Sequence, residues 1–370
     1  MNRRMALAVA LILAALVTCP LAAMGPGGGG GMTKAHVGKM IYCDSNLSTP
    51  TGQSCQSCHH PMAGYADPNS DLPVSAGVIA GRFGNRNSPV SAYLATVPDF
   101  HFDMSIGGYV GGQFWDGRAK NLVEQAKGPF LNPLEMNNPS KSAVVNKVKA
   151  SCYATGFKQI YGQSVFGNVE NAYKCIADAL ASYEKSSELN RYDSKYDQYL
   201  AGAVSLTEQE SRGLELFEGR AGCSSCHTPP TFTNFTYHNA GIPRNPDNPF
   251  YFLSTKFNPL GQNWKDKGLG GFTGKTADIG KFKTPTLRNI AATAPYTHNG
   301  LFNTLYEVVD FKNTRDVANW PDPEHLMNVD NAFGNLGLSD QDIDDIVAFL
   351  YTLSDSSCCG GGGCGGGMGG

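Results

Sequence analysis

No block of like charge occurs in this 370-residue chain: Lys and Arg number 29 against 32 Asp and Glu, a net charge of −3. Nucleic acid is held by basic stripes that neutralise phosphates, so that class of partner is excluded. Long apolar runs are also missing. The best candidate, Met5 to Val17, is too short for a membrane span. Arg3 and Arg4 precede it and Leu21-Ala22-Ala23 follow it, which is the layout of an export signal over residues 1–23. Cys19 sits in a poor context for lipidation. The expected mature protein is periplasmic and has no membrane span. Hairpin signals are few as well, which excludes an all-β architecture and leaves a mainly α class.

Glycine is abundant, and it concentrates at the two ends. Residues 24–34 read as a glycine-rich, flexible leader. Residues 357–370 combine glycine with three cysteines and offer almost nothing to a core, so an unstructured tail is expected. Its soft sulfur donors could alternatively take copper(I) or another thiophilic metal. Eleven cysteines fit an oxidising compartment. Cys152 and Cys175 could form a disulfide or remain two buried thiols, and Cys43 reads as a small core residue.

Between the ends the pattern is of short helices and long irregular loops. Residues 168–188 read as a helix. Thr207 with Glu210 forms a capping box ahead of Leu214 and Phe217. Ser339 caps a last helix whose Ile343, Ile346, Val347, Leu350 and Leu353 share one face. The stretch from Pro243 to Gly274 is expected to be loop.

One short repeat organises the chain. Cys55-Gln56-Ser57-Cys58-His59 recurs as Cys223-Ser224-Ser225-Cys226-His227. In a C-x-x-C-H motif two thiols bond the vinyl groups of a c-type haem, and the adjacent histidine reaches the iron. A zinc or redox site is the alternative for a bare C-x-x-C. The duplication implies two covalently bound haems c in two cytochrome c-like domains, 35–200 and 201–356, with the boundary after Tyr199-Leu200-Ala201-Gly202.

Further motifs lie outside the haem-binding pair: Leu47-Ser48-Thr49-Pro50, Arg86-Asn87-Ser88-Pro89, Phe114-Trp115-Asp116-Gly117-Arg118-Ala119, Glu124-Gln125-Ala126, Asn132-Pro133-Leu134-Glu135-Met136, Thr284-Pro285-Thr286-Leu287-Arg288-Asn289 and Ala294-Pro295-Tyr296-Thr297-His298-Asn299-Gly300. In these the chain resembles the bacterial dihaem cytochrome c peroxidase and MauG superfamily over residues 35–355. The resemblance implies that the N-terminal haem, on His59, reacts with hydrogen peroxide and that the C-terminal haem, on His227, stores and relays electrons. It implies Trp115 as the bridge between them, Glu135 and Gln125 in the distal pocket with Pro129 beside them, and a calcium ion held by Asn87 and the carbonyls of Thr293 and Pro295. A carboxyl in an apolar pocket has a raised pKa and can move a proton between peroxide oxygens near neutral pH.

Two departures from the family pattern matter. The peroxidases carry a capping histidine before the Arg-Asn-Ser-Pro motif; here no histidine lies between His60 and His101, and Val78 stands about where it would be. An iron open without prior reduction is the expectation, which favours the MauG-like branch. The family also places Met or Tyr fourteen residues after the position of His298, as ligand to the second iron; here that residue is Lys312, with Tyr306 a weaker substitute. His298 and His238 are expected near the second haem, His60 on the surface, and His101 and His325 carry no signal. Three functions follow: a dihaem oxidase that modifies a protein partner's Trp or Tyr, a peroxidase fed by a small cytochrome or copper protein, or a dihaem electron carrier without peroxide chemistry.

Overall fold

A computed structural model describes residues 31–356. The export signal, most of the glycine-rich leader and the Cys/Gly tail lie outside the described residues. The first helix, Lys34–Cys43, starts at the last position assigned to the leader, with Thr33 as N-cap accepting from the His36 amide.

The described residues are mainly helical, with two two-stranded antiparallel pairs, His101–Asp103 with Gly108–Val110 and Tyr237–His238 with Phe282–Lys283. The first pair is a hairpin that the sequence barely signals. The helix expected over 168–188 runs Val169–Glu184 and is capped by Asn168. The Thr207/Glu210 and Ser339 caps form as expected and open the Glu208–Glu218 and Asp340–Tyr351 helices. Between Pro243 and Gly274 the chain is loop, apart from 3-10 turns and a single turn of helix at Leu269–Thr273.

Two apolar cores form. The first is built from residues between Val37 and Leu189 and the second from residues between Tyr196 and Leu353. Each contains a helix crossing at a glycine, Lys34–Cys43 against Val169–Glu184 in the first and Glu208–Glu218 against Asp340–Tyr351 in the second. A Cβ on Gly38 would overlap the Ala179 carbonyl, and a Cβ on Gly213 would overlap the Asp345 carbonyl. Only a residue without a side chain lets the two backbones approach this closely. Each C-x-x-C-H segment follows the first helix of its own crossing, so the same scaffold presents both motifs.

Two cysteine expectations are corrected. Cys175 is a free thiol, so the 152–175 bridge is not made. Cys43 is exposed rather than in the core, because it is the last residue of its helix while the buried face is Val37, Gly38, Ile41 and Tyr42.

Candidate haem-binding site

Both C-x-x-C-H motifs open into one cavity of about 480 Å³. In the first half a Ser54 capping box fixes the single helical turn Cys55–Cys58. Cys55 and Cys58 are free thiols on the cavity wall. Burial pushes both thiols up, Cys58 to about 12. Neutral, unpaired thiols in an apolar cradle fit attachment to vinyl groups better than a metal-thiolate site, which needs the anion. The described residues contain no cluster of three or more His, Cys, Asp or Glu able to hold a metal ion.

The histidines are prepared as neutral ligands. Burial lowers His227 to about 4, and its Nδ1 sits 3.0 Å from the Phe232 carbonyl. Donation from Nδ1 leaves the Nε2 lone pair free, the tautomer an iron needs. His59 is lowered by burial too, and its Nδ1 lies 3.3 Å from Ser88 Oγ. Cys226 differs from the other thiols: His238 Nε2 lies 3.8 Å from its sulfur and draws its pKa down, while Asp330 holds His238 Nδ1 at 2.6 Å.

Gln125, Pro129 and Glu135 line the same cavity as His59. Burial raises the Glu135 carboxyl, opposed by Arg118 and by Asn132, whose amide donates to Oε1 at 2.7 Å. Val78 does not line the cavity; Ser75, Ala76, Gly84 and Asn85 do, and none carries an iron ligand. His59 is the one histidine of the first half on the described wall, and the one methionine there, Met136, packs into the first core.

Trp115 also lines the cavity, where the two halves of the chain meet. Its indole donates to the Asn87 carbonyl at 2.9 Å, its own carbonyl accepts from the Lys283 amide at 2.8 Å, and its ring faces His298 at 6.4 Å. His298 in turn stacks on Phe282 at 3.6 Å. Asn87 places its amide 3.2 Å from the carbonyl oxygens of both Pro73 and Pro295, and Thr293 lines the cavity nearby. Turning that amide by half a rotation would present Oδ1 beside two carbonyls, an oxygen set suited to a hard cation.

In the second half Lys312 lies on the Leu305–Thr314 helix and faces the cavity. Its Nζ sits 4.0 Å from the centre of the Phe333 ring, and burial lowers it to about 7. Burial thus favours the neutral amine, the form that can donate a lone pair. Tyr306 does not line the cavity; it points to Asp340 at the surface. His60 caps a surface turn, and His101 is exposed.

Sequence reasoning did not single out Glu184. Its carboxyl lines the cavity near Cys55, Oε2 has no hydrogen-bond partner, and burial raises it to about 8. No motif marks it, because it is the last residue of an ordinary helix.

The family model for di-haem cytochrome c peroxidase matches residues 32–205. The methylamine utilization protein MauG of Paracoccus denitrificans is 38% identical, over 87% of this chain and 88% of that protein. The chain belongs to the dihaem cytochrome c peroxidase/MauG family. The cytochrome c551 peroxidase of Nitrosomonas europaea is 32% identical, covering 86% of this chain and 79% of its own. Among solved structures the diheme peroxidase BthA of Burkholderia thailandensis superposes with a TM-score of 0.77 at 33% identity, covering 88% of this chain and 87% of its own. A MauG-like protein associated with microbial copper homeostasis gives 0.68 at 28% identity, covering 88% of this chain and 90% of its own. This family member is therefore an enzyme, a haem-dependent oxidoreductase of the peroxidase type. Among its described residues no helix is long and apolar enough to cross a membrane.

Proposed function

We propose that the chain is a periplasmic dihaem peroxidase of the MauG-like kind, which uses hydrogen peroxide at the N-terminal site to oxidise side chains of a protein partner. Cys55 and Cys58 with His59, and Cys223 and Cys226 with His227, are the residues that would hold its two haems. When bound, the haems supply iron that accepts oxidising equivalents from peroxide. The chain's residues do the rest. Glu135, whose carboxyl burial raises, moves a proton from one peroxide oxygen to the other. Asn132 holds that carboxyl in place. Pro129 and Gln125 narrow the pocket beside it and limit water. Trp115 lies where the halves meet and serves as the electron bridge. Lys312, whose ammonium burial disfavours, is the residue that would supply an amine to the C-terminal haem. Asn87 and the carbonyls of Thr293 and Pro295 would hold a structural calcium ion.

The observation that carries this reading is the composition of the cavity wall: a raised carboxyl, Glu135, shares the space with His59, and among the described residues no other histidine of the first half lines it. Such a site needs no prior reduction to open. The test is to mix the fully oxidised, haem-loaded enzyme with peroxide and follow the haem spectrum, then to weigh the protein partner. Reaction without reductant and a partner gain in whole oxygen atoms are expected. A need for prior reduction, with no mass change in any partner, would move the function to peroxide removal fed by a small electron donor.

A further inference from the structure

Tyr93 stands on the wall of the haem cavity, and the chemistry above makes no use of it. Its side chain is buried, and its hydroxyl donates to Asp355 Oδ1 at 2.6 Å. Asp355 is buried as well. Tyr93 belongs to the first half and Asp355 follows the last helix of the second, so the bond joins residues 262 positions apart. Other tyrosines also meet a carboxylate: Tyr153 with Asp44, Tyr161 with Asp178 and Tyr183 with Glu188. None of these three lines the cavity.

The surroundings of Tyr93 suit the loss of an electron together with a proton. Burial keeps the resting phenol protonated. A short hydrogen bond from a phenol to a carboxylate gives that proton a direct place to go. Burial also raises the Asp355 carboxyl, which favours the form that has taken the proton. The Asn289 amide donates to Asp355 Oδ2 at 2.9 Å, and the Asp355 backbone amide donates to Asn289 Oδ1 at 2.8 Å, so the acceptor is held in place. The Tyr192 backbone amide donates to Tyr93 Oη at 3.1 Å. Once the proton has crossed, that oxygen keeps two donors, the Tyr192 amide and the new Asp355 hydroxyl. The Arg288 guanidinium, itself paired with Asp197, lies 5.5 Å from the centre of the Tyr93 ring. It disfavours a second positive charge there, so the neutral radical is the oxidised form this site admits.

The site also has an outward side. The Tyr192 ring meets Tyr93 edge-on, 4.9 Å between centres, and is only half-buried. Tyr192 lies on the segment that joins the two cores. Tyr93 therefore has the cavity on one side and a ring reaching toward solvent on the other.

We propose that Tyr93 is a redox-active residue that holds one peroxide-derived oxidising equivalent as a neutral tyrosyl radical, with Asp355 as acceptor of its proton and Tyr192 as its contact toward the surface. This rests on the peroxide chemistry above and adds a protein-based site to it. In the step, the Tyr93 phenol gives one electron to the oxidised haem site and its proton to Asp355; the phenolic O–H bond breaks and an Asp355 O–H bond forms. The reverse step takes one electron from an oxidisable side chain of the partner, and Asp355 returns the proton. Peroxide is the sole oxidant. The chain can thus keep an oxidising equivalent until a partner is present.

The test uses the full haem-loaded ferric chain, mixed with peroxide and freeze-quenched for electron paramagnetic resonance. Wild type is expected to give an organic radical signal that narrows when the protein carries ring-deuterated tyrosine. Tyr93→Phe should lose that signal. Tyr161→Phe, which removes a tyrosine–carboxylate pair off the cavity wall, should keep it. Asp355→Asn offers a hydrogen bond but takes no proton, and should slow radical formation by about 10²-fold, the lower range for a positioned acid–base group. Heavy water should slow formation in wild type, a reading that does not depend on any variant folding. A signal that survives Tyr93→Phe, or none in wild type after its haem spectrum has changed, overturns the radical site. A rate unaltered both in Asp355→Asn and in heavy water overturns the coupling to Asp355. If peroxide leaves the haem spectrum unchanged, the peroxidase reading fails instead, and oxidation of the same samples by flash-generated ruthenium(III) tris-bipyridine decides Tyr93 by the same Tyr93→Phe difference.

Discussion

Arg86 and Asp266, 180 residues apart in sequence, form a bidentate ion pair with contacts of 2.6 and 2.7 Å in the interior. Arg86 also reaches Asp116 at 2.7 Å, so one guanidinium ties the segment carrying Trp115 to the long loop of the second half. Asn87, next in sequence, accepts from the Trp115 indole. The position of the proposed electron bridge thus depends on this buried cation.

Arg86→Met should therefore destabilise the protein by about 3–5 kcal/mol, since it leaves the buried Asp266 carboxylate without its cation, while Asp116 keeps Arg118 at 2.9 Å. Guanidinium denaturation measures it. The Arg86 guanidinium holds Asp266 below the ordinary carboxylate value. The pair's contribution is full above that ordinary value and is lost as pH falls through the lower folded one. The wild-type advantage over the variant should shrink only in strong acid. An advantage that does not change with pH would mean the pair is not the source.

Glu135→Gln should slow reaction with peroxide by about 10²–10⁴-fold, the usual contribution of a positioned acid–base group. Haem content and ferric spectra should not change. Rapid-mixing absorbance gives the rate. An unaltered rate would remove Glu135 from the chemistry.

Lys312→Met should alter the low-spin signal in the electron paramagnetic resonance spectrum of the ferric protein and leave the high-spin signal alone. The potential of that haem should rise, because a soft thioether replaces a hard amine. A low-spin spectrum identical to wild type would show that another group binds that iron.

Gly38→Ala and Gly213→Ala should destabilise their halves by similar amounts, about 1–3 kcal/mol each, because each new methyl meets a carbonyl of the facing helix. Thermal melts of both variants give the comparison. A neutral Gly213→Ala would show that the second crossing can widen.

Glu184→Gln should stabilise the protein at pH 8 and matter little at pH 4. Burial raises the folded carboxyl to about 8. Stability from that raised value is full below the unfolded carboxylate value and is lost as pH rises through the folded one. The difference should reach on the order of a few kcal/mol at alkaline pH. Chemical denaturation across that pH range reports it. A gap that stays constant would mean that Glu184 does not titrate in the folded protein.

Local chemistry was legible along the chain. Each C-x-x-C-H motif places two thiols and a ligand within five residues, so covalent spacing alone announces a haem site. The Thr207 and Ser339 caps were readable for the same reason, since a helix start is decided within one turn. Cys43 was misplaced because a helix end and a helix face look alike in sequence.

The sequence alone determined which residues can hold and use the haems. The joining of both motifs into one cavity, the Arg86–Asp266 clamp, the unpartnered carboxyl of Glu184 and the Tyr93–Asp355 hydrogen bond were decided only by the tertiary structure. Each depends on side chains brought together by packing across long stretches of chain, where neither periodicity nor local spacing leaves a trace.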